Sequence, residues 1–261
     1  MKKISLIAIV TLIALTALSF TAGKSVTLRL RPQKDKVYFI NSKTLQNSTM
    51  KIQGQTMTMT QNIETKQSFT AKEVSDTKNV IETQIDAIKL TVSQMGMSLT
   101  YDSENPQNTS PMLANQVSEI EKVLKKPANI TYDELGRIQD EIDIEMSQLS
   151  NAIIELPEEE LHVGSEWTYT DTREISDNDV VVTITTTVTE ITKKAVNVSF
   201  TGTIDSKDVT GTYEGTSTIS PQTGIVMNSS IKNKVSMTIN EQGMSIPLTV
   251  NGTTTISVEE K

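Results

Sequence analysis

The sequence predicts a mainly β protein of the α+β class. It would consist of two related antiparallel β units with long twisted strands, and two amphipathic helices, about 111–126 and 140–154, packed on the sheet. Three observations predict this. Threonine is the commonest residue beyond residue 23, valine recurs beside it, and apolar side chains alternate with polar ones in long runs, the period-two pattern of strands with one packed and one wet face. Two stretches in the middle of the chain switch to helical spacing. Finally, the order of segments in the first half recurs in the second.

The chain opens MKKISLIAIVTLIALTALSFTAG. A basic start (Lys2, Lys3), an apolar stretch from Ile4 to Phe20 and a small-residue exit at Thr21-Ala22-Gly23 are expected to form a secretory signal peptide, 1–23, cut after Ala22 or Gly23. The alternative is an uncleaved anchor. Ser5, Thr11, Thr16 and Ser19 interrupt the stretch, which falls short of the roughly 20 residues that span a bilayer. There is no cysteine, so neither a lipoprotein anchor nor a disulfide nor a thiolate metal site can form. The expected location is the periplasm or the exterior of a bacterial cell.

Residues 24–155 are expected to form the first β unit with a helical insertion, and 156–261 the second, with one continuous domain as the alternative. In the first, Met57, Met59, Ile63 and Phe69 share a strand face, and Gln53-Gly54 marks a turn. Between Val80 and Val92 the apolar phase changes near Ala87-Ile88, which predicts a bulge or bend. The first helix carries the stripe Leu113, Val117, Ile120 and Leu124, with Ser110 as its cap before Pro111. Ile142, Met146, Leu149 and Ile153 form the stripe of the second, and Pro127 and Pro157 end the two. In the second unit Val180, Val182, Ile184 and Val188 alternate, as do Val196, Val198 and Phe200, and Val235, Met237 and Ile239. Glu241-Gln242-Gly243 is a further turn. Asn251-Gly252 lies between the runs Ile246-Leu248-Val250 and Ile256-Val258 and predicts a hairpin. "ITYDELGRI" (130–138) and "TISPQTGIV" (218–226) match as strand, turn and strand, with Gly136 and Gly224 at positions suited to positive φ. "KVYFINSK" (36–43) and "EWTYTDTR" (166–173) match as the entry strands.

The exit from the second helical stretch, "LPEEELHVGSEW" (156–167), resembles the LP…VG…W segment of a family of secreted bacterial proteins known only as a domain of unknown function. A proline common midway through that segment is replaced here by Glu160. The resemblance implies secretion and a fold; it brings no reaction, cofactor or ligand.

A net charge of −8 and 4% aromatic residues leave nucleic-acid binding without basic stripes or stacking platforms. The methionine pairs Met57/Met59 and Met95/Met97, with Met50 across a hairpin from the first, are either a thioether site for Cu(I) or part of an apolar wall. A metal needs about three converging donors, so the wall is the preferred reading and neither metal nor cofactor is expected. His162, the only histidine, sits among acids in a connector, and no Gly-x-Ser-x-Gly elbow occurs; a solvated side chain is expected. "DEIDIE" (140–145) reads as a wet helix face, and "DSEN" (102–105) and "DND" (177–179) as turns. Trp167 is expected to anchor the first strand of the second unit in the core, with a carbohydrate platform as the alternative. Three functions follow. The first is an exported non-enzymatic protein binding an apolar or lipid-like small molecule in a cleft between sheet and helices. The second is a structural or adhesive module that meets an envelope protein through an edge strand such as Thr253 to Val258. The third is a hydrolase built from two carboxylates.

Overall fold

A computed structural model describes residues 24–52, 54–139, 152–175, 178–241 and 244–261. Alternation becomes strand throughout: β1 (Val37–Ile52), β2 (Gln55–Val74), β3 (Asn79–Gln94), β4 (Met97–Asp102), β5 (Ala128–Tyr132), β6 (Glu166–Ile175), β7 (Asn178–Ile191), β8 (Val196–Asp205), β9 (Val209–Ile219), β10 (Val226–Glu241) and β11 (Met244–Glu260). They form one antiparallel sheet in the order β4-β3-β2-β1-β11-β10-β9-β8-β7-β6, with β5 beside β3. The pairing of β1 with β11 joins strands from both ends of the described chain in the middle of the sheet.

The core lies at one end of one face. Tyr38 and Ile40 of β1, Phe69 of β2, Ile81 of β3, Val196 and Val198 of β8, Ile219 of β9 and Val258 of β11 are buried there, and Tyr38 and Phe69 stack with centroids 4.6 Å apart. Two extended segments form its floor, contributing Leu28 and Leu30 from one and Leu156 and Leu161 from the other. Their backbones bridge at Val26 and Leu161. They also engage the two glycine turns. Leu30 N–H donates to the Glu134 carbonyl (2.7 Å) and Arg31 N–H to that of Thr223 (2.9 Å), while Leu156 N–H donates to Leu135 (2.8 Å). Gly136 and Gly224 have φ of 78° and 69°, as their turn positions predict.

The expected bulge is present. Lys66 pairs with Ala87 and Gln67 with Ile85, so Asp86 is the extra residue where the apolar phase changes. Gly54 turns β1 into β2 with φ +81°.

The structure corrects four expectations. Only one helix, α1 (Ala114–Val123), is found among the described residues, preceded by a 3-10 turn at Pro111–Leu113. Leu113, Val117 and Ile120 pack on Ile88, Leu90, Leu99 and Tyr101 of β3 and β4. Residues 140–151 of the second expected helix lie outside the described residues, and 152–154, its end, are not helical. Their backbone bonds go elsewhere: the Ala152 carbonyl accepts from Val226 N–H (2.9 Å). A sheet covered by two amphipathic helices is therefore not supported. Ser110 does not cap α1, because its hydroxyl accepts from Thr100 N–H of β4 (3.0 Å) and Leu113 is the cap residue. Asn251-Gly252 is no hairpin, since β11 runs straight through it, Gly252 pairing with Gln46 and Asn233. For the same reason Thr253 to Val258 cannot be an edge: it lies between β1 and β10.

Candidate functional site

Register assigns every strand residue to one of two faces. On the core-bearing face, rows beyond the floor run through residues that alternate with threonine in sequence. Val182, Val209, Tyr213 and Met237 pack on the buried Val180, Ile204 and Val235. The next rows hold Ile184, Phe200 and Ile231, each half-buried. All seven apolar residues of the cluster around Val180, Ile204 and Val235 belong to β7 to β10. Glycines let the rows close up beside the large side chains: a Cβ on Gly215 would stand 2.4 Å from the Phe200 ring and 2.3 Å from the Ser230 carbonyl. The result is an apolar wing over β7 to β10. Its counterpart over β3 and β4 lies under α1.

The methionines sit at the far end of the same face. Met57 is opposite Met50 across the β1–β2 hairpin, and Met59 is opposite Ser48 and Gln94. Met97 pairs with Gln94, one strand beyond Met59, and is 60% exposed. Met95 lies in the two-residue Met95-Gly96 loop with φ 51° and is 78% exposed. Met57, Met59 and Met97 thus share a face, while Met95 is a loop-tip residue, and none of the four lines a cavity described below.

The opposite face is polar. A groove of about 1010 Å³ crosses it from β3 to β8. Its walls are two adjacent cross-strand rows. One runs Asp102, Lys89, Glu64, Lys43, Thr255, Ser230 and Thr216; the other runs Lys66, Asn41, Ser257, Asn228, Thr218 and Asn197. The charged end is closely paired, Lys43 with Glu64 at 2.9 Å and Lys66 with Glu104 at 2.8 Å. The hydrogen bond from Lys43 holds the Glu64 carboxyl below the usual carboxylate range. Asn105, donating to Asp102, does the same there, and Glu104 raises Lys66. A second groove of about 640 Å³ on this face is lined by Thr183, Thr185, Thr201, Thr203 and Thr212 with Lys232 and Lys234.

Acid–base chemistry near neutrality needs a carboxyl held up in pKa beside one held down. In the larger groove Glu64 and Asp102 are both held down by hydrogen bonds. The "DSEN" stretch is a turn in which Asp102 accepts from Glu104 N–H (3.0 Å). His162 is exposed, and its backbone N–H donates to the Ser165 hydroxyl (2.9 Å). Among the described residues no three His, Asp or Glu side chains group as metal ligands. Trp167 packs against the core and donates to the Glu155 carbonyl (3.3 Å). "DEIDIE" and the start of "DND" lie outside the described residues. No described helix is long and apolar enough to cross a membrane.

Sequence reasoning missed both grooves. Each row collects one residue from each of six or more strands, and no local spacing announces that.

No protein-family model matches the chain, and no curated protein matches it in sequence. Solved structures do match. One, titled for lipid–protein interactions in lipovitellin, superposes with a TM-score of 0.50 at 12% identity, over 87% of this chain and 25% of the other. This chain thus spans a quarter of that protein's length. Another, an outer membrane channel from Pseudomonas putida F1, covers 87% of this chain and 97% of its own at 7% identity, with a TM-score of 0.29, too distant to support any argument. What the comparisons establish is a fold: this antiparallel sheet is similar to one part of lipovitellin.

Proposed function

We propose that the mature chain is exported and serves as a non-enzymatic binding protein for an apolar, lipid-like ligand seated on the wing over β7 to β10. The carrying observation is that wing: Val182, Ile184, Phe200 and Tyr213 lie on one face of β7 to β9 and stay half-buried, with Val182 and Tyr213 packed on a cluster made of strand residues alone. Surfaces of this kind mark ligand or partner contact. The basic-then-apolar leader and the LP…VG…W resemblance support export, and a fold shared with a protein whose structure is titled for lipid contact agrees with the ligand class. The test is native mass spectrometry of protein purified from the compartment it reaches, together with displacement of a fluorescent fatty-acid probe. Lipid should co-purify, and Ile184→Glu with Phe200→Glu should abolish probe binding while the cooperative urea transition is retained. Absence of both co-purified lipid and probe binding overturns the proposal.

A further inference from the structure

Three methionines lie side by side in the register of β1 and β2 at the far end of the core-bearing face. Met50 and Met57 face one another directly across β1 and β2, which places their Cβ atoms about 5 Å apart. Met59 lies one pleat further along β2, on the same side and diagonal to Met50, about 7 Å away at Cβ. An unbranched side chain with three rotatable bonds closes such gaps readily. All three are half-buried, so their sulfurs stand at the boundary between apolar surface and solvent. Leu248 flanks Met50 on the other side and separates it from Met237, so the group is limited to these three donors. Val, Ile and Thr are the residues a strand surface favours, and three contiguous methionines depart from that preference.

We propose that Met50, Met57 and Met59 form a thioether site for a soft monovalent cation, Cu(I), with Ag(I) as its redox-silent equivalent. Neutral thioethers select Cu(I) over the harder divalent ions, and the chain has no cysteine to compete. The ion meets three lone pairs at the rim of an apolar face, where water is partly excluded. Because a thioether carries no proton to lose, binding does not depend on acidity, unlike a site of His or carboxylate ligands.

The experiment titrates the full-length mature protein anaerobically with Cu(I) held by a chromogenic chelator, and follows methionine methyl resonances as Ag(I) is added. Stoichiometric withdrawal of Cu(I), unchanged between about pH 5 and about pH 7.5, is expected, with shifts confined to three methyl signals. Met→Leu exchange conserves volume and apolarity while removing the sulfur, so folding and any lipid binding should persist. Met50→Leu/Met57→Leu should lose the ion, and Met95→Leu/Met97→Leu should keep it. No withdrawal of Cu(I), binding that survives the triple exchange of Met50, Met57 and Met59, or binding lost on acidification overturns the site. None of these outcomes bears on the wing over β7 to β10.

Discussion

Gly224 closes the turn between β9 and β10, and alanine there should be costly for two separable reasons. Its φ of +69° lies in the left-handed region, where an L side chain costs about 1 kcal/mol. A Cβ would also stand 2.4 Å from the Arg29 carbonyl oxygen, 2.8 Å from its carbon and 2.9 Å from Leu156 Cδ1. The Arg29 backbone cannot easily yield. Leu28 and Leu30 on either side are fully buried, and the Arg31 N–H bond to Thr223 ties the segment to this same turn. Overpacking against such a wall costs about 1–3 kcal/mol, so Gly224→Ala should lose about 2–4 kcal/mol in all. Gly54 supplies the control, with φ +81° and nothing within 4 Å of its Cβ position. Gly54→Ala should therefore lose only the strain, about 1 kcal/mol. Urea unfolding read by the fluorescence of Trp167, the sole tryptophan, gives both numbers, provided the m-value is unchanged. Equal losses for the two variants would refute the close-approach argument.

Asp133→Ala should cost about 1–2 kcal/mol in the same assay, because its carboxylate accepts from the backbone N–H of Leu135 (2.9 Å) and Arg137 (2.8 Å) and so shapes the other turn. One residue inserted after Gly252 should abolish folding, measured by loss of the cooperative urea transition, since it moves Ile256 and Val258 to the wrong face of a central strand. A loop there would accept it. Lys43→Ala should raise the Glu64 titration midpoint towards 4.5, followed by carboxyl NMR. With its folded pKa lowered, Glu64 contributes stability above its unfolded pKa and loses it as acidification passes the folded value. Solvent screening keeps that contribution within about 1 kcal/mol, so the variant should flatten the acid limb only slightly. Gln67→Leu should leave the urea midpoint unchanged or raise it: Gln67 is 5% exposed and its Oε1 has no hydrogen-bond partner, and an orphaned buried acceptor costs about 1–3 kcal/mol. A clear loss would mean that the amide has a structural role.

What the sequence made legible was whatever depends on one strand at a time. Val182 with Ile184, Met57 with Met59, and the phase break near Ala87 were all visible as parity, and parity is set by the pleat. Parity also held the answer to the Asn251-Gly252 error: Ile246, Leu248, Val250, Ile256 and Val258 are all even-numbered, so one uninterrupted strand carries them on one side. Turn chemistry outweighed that continuity. The dipeptide is tolerated in mid-strand because a Cβ on Gly252 would stand 2.1 Å from Asn233 Oδ1, so the space belongs to its neighbour's amide. The end of the second helical stretch misled for another reason. Spacing such as Ile142-Met146-Leu149-Ile153 records which side chains are apolar. It does not record that the 152–156 backbone would find partners in Leu135 of the 133–136 turn and in Val226, the first residue of β10. The grooves and the wing were illegible because each depends on strand order, and β1 beside β11 is a pairing no local pattern implies.

That pairing explains why the floor matters to stability. Bringing β1 against β11 closes a loop of nearly the whole described chain, a cost that grows only slowly with length but must be met before any central contact forms. The floor meets it, because its bonds run between distant parts: Val26 with Leu161, Leu30 with Glu134, Arg31 with Thr223, Ala152 with Val226. Three of them, Val26 with Leu161, Arg31 with Thr223 and Ala152 with Val226, are lost if residues 24–155 separate from residues 156–261. The methionine cluster is joined to that floor through the strand ladders of β1 and β2, whereas Ile231 of the wing packs against the buried core itself. Variants at Leu30, Gly136 or Gly224 therefore report on whether the sheet exists, whereas variants at Ile184, Phe200 or Met57 test the proposed binding.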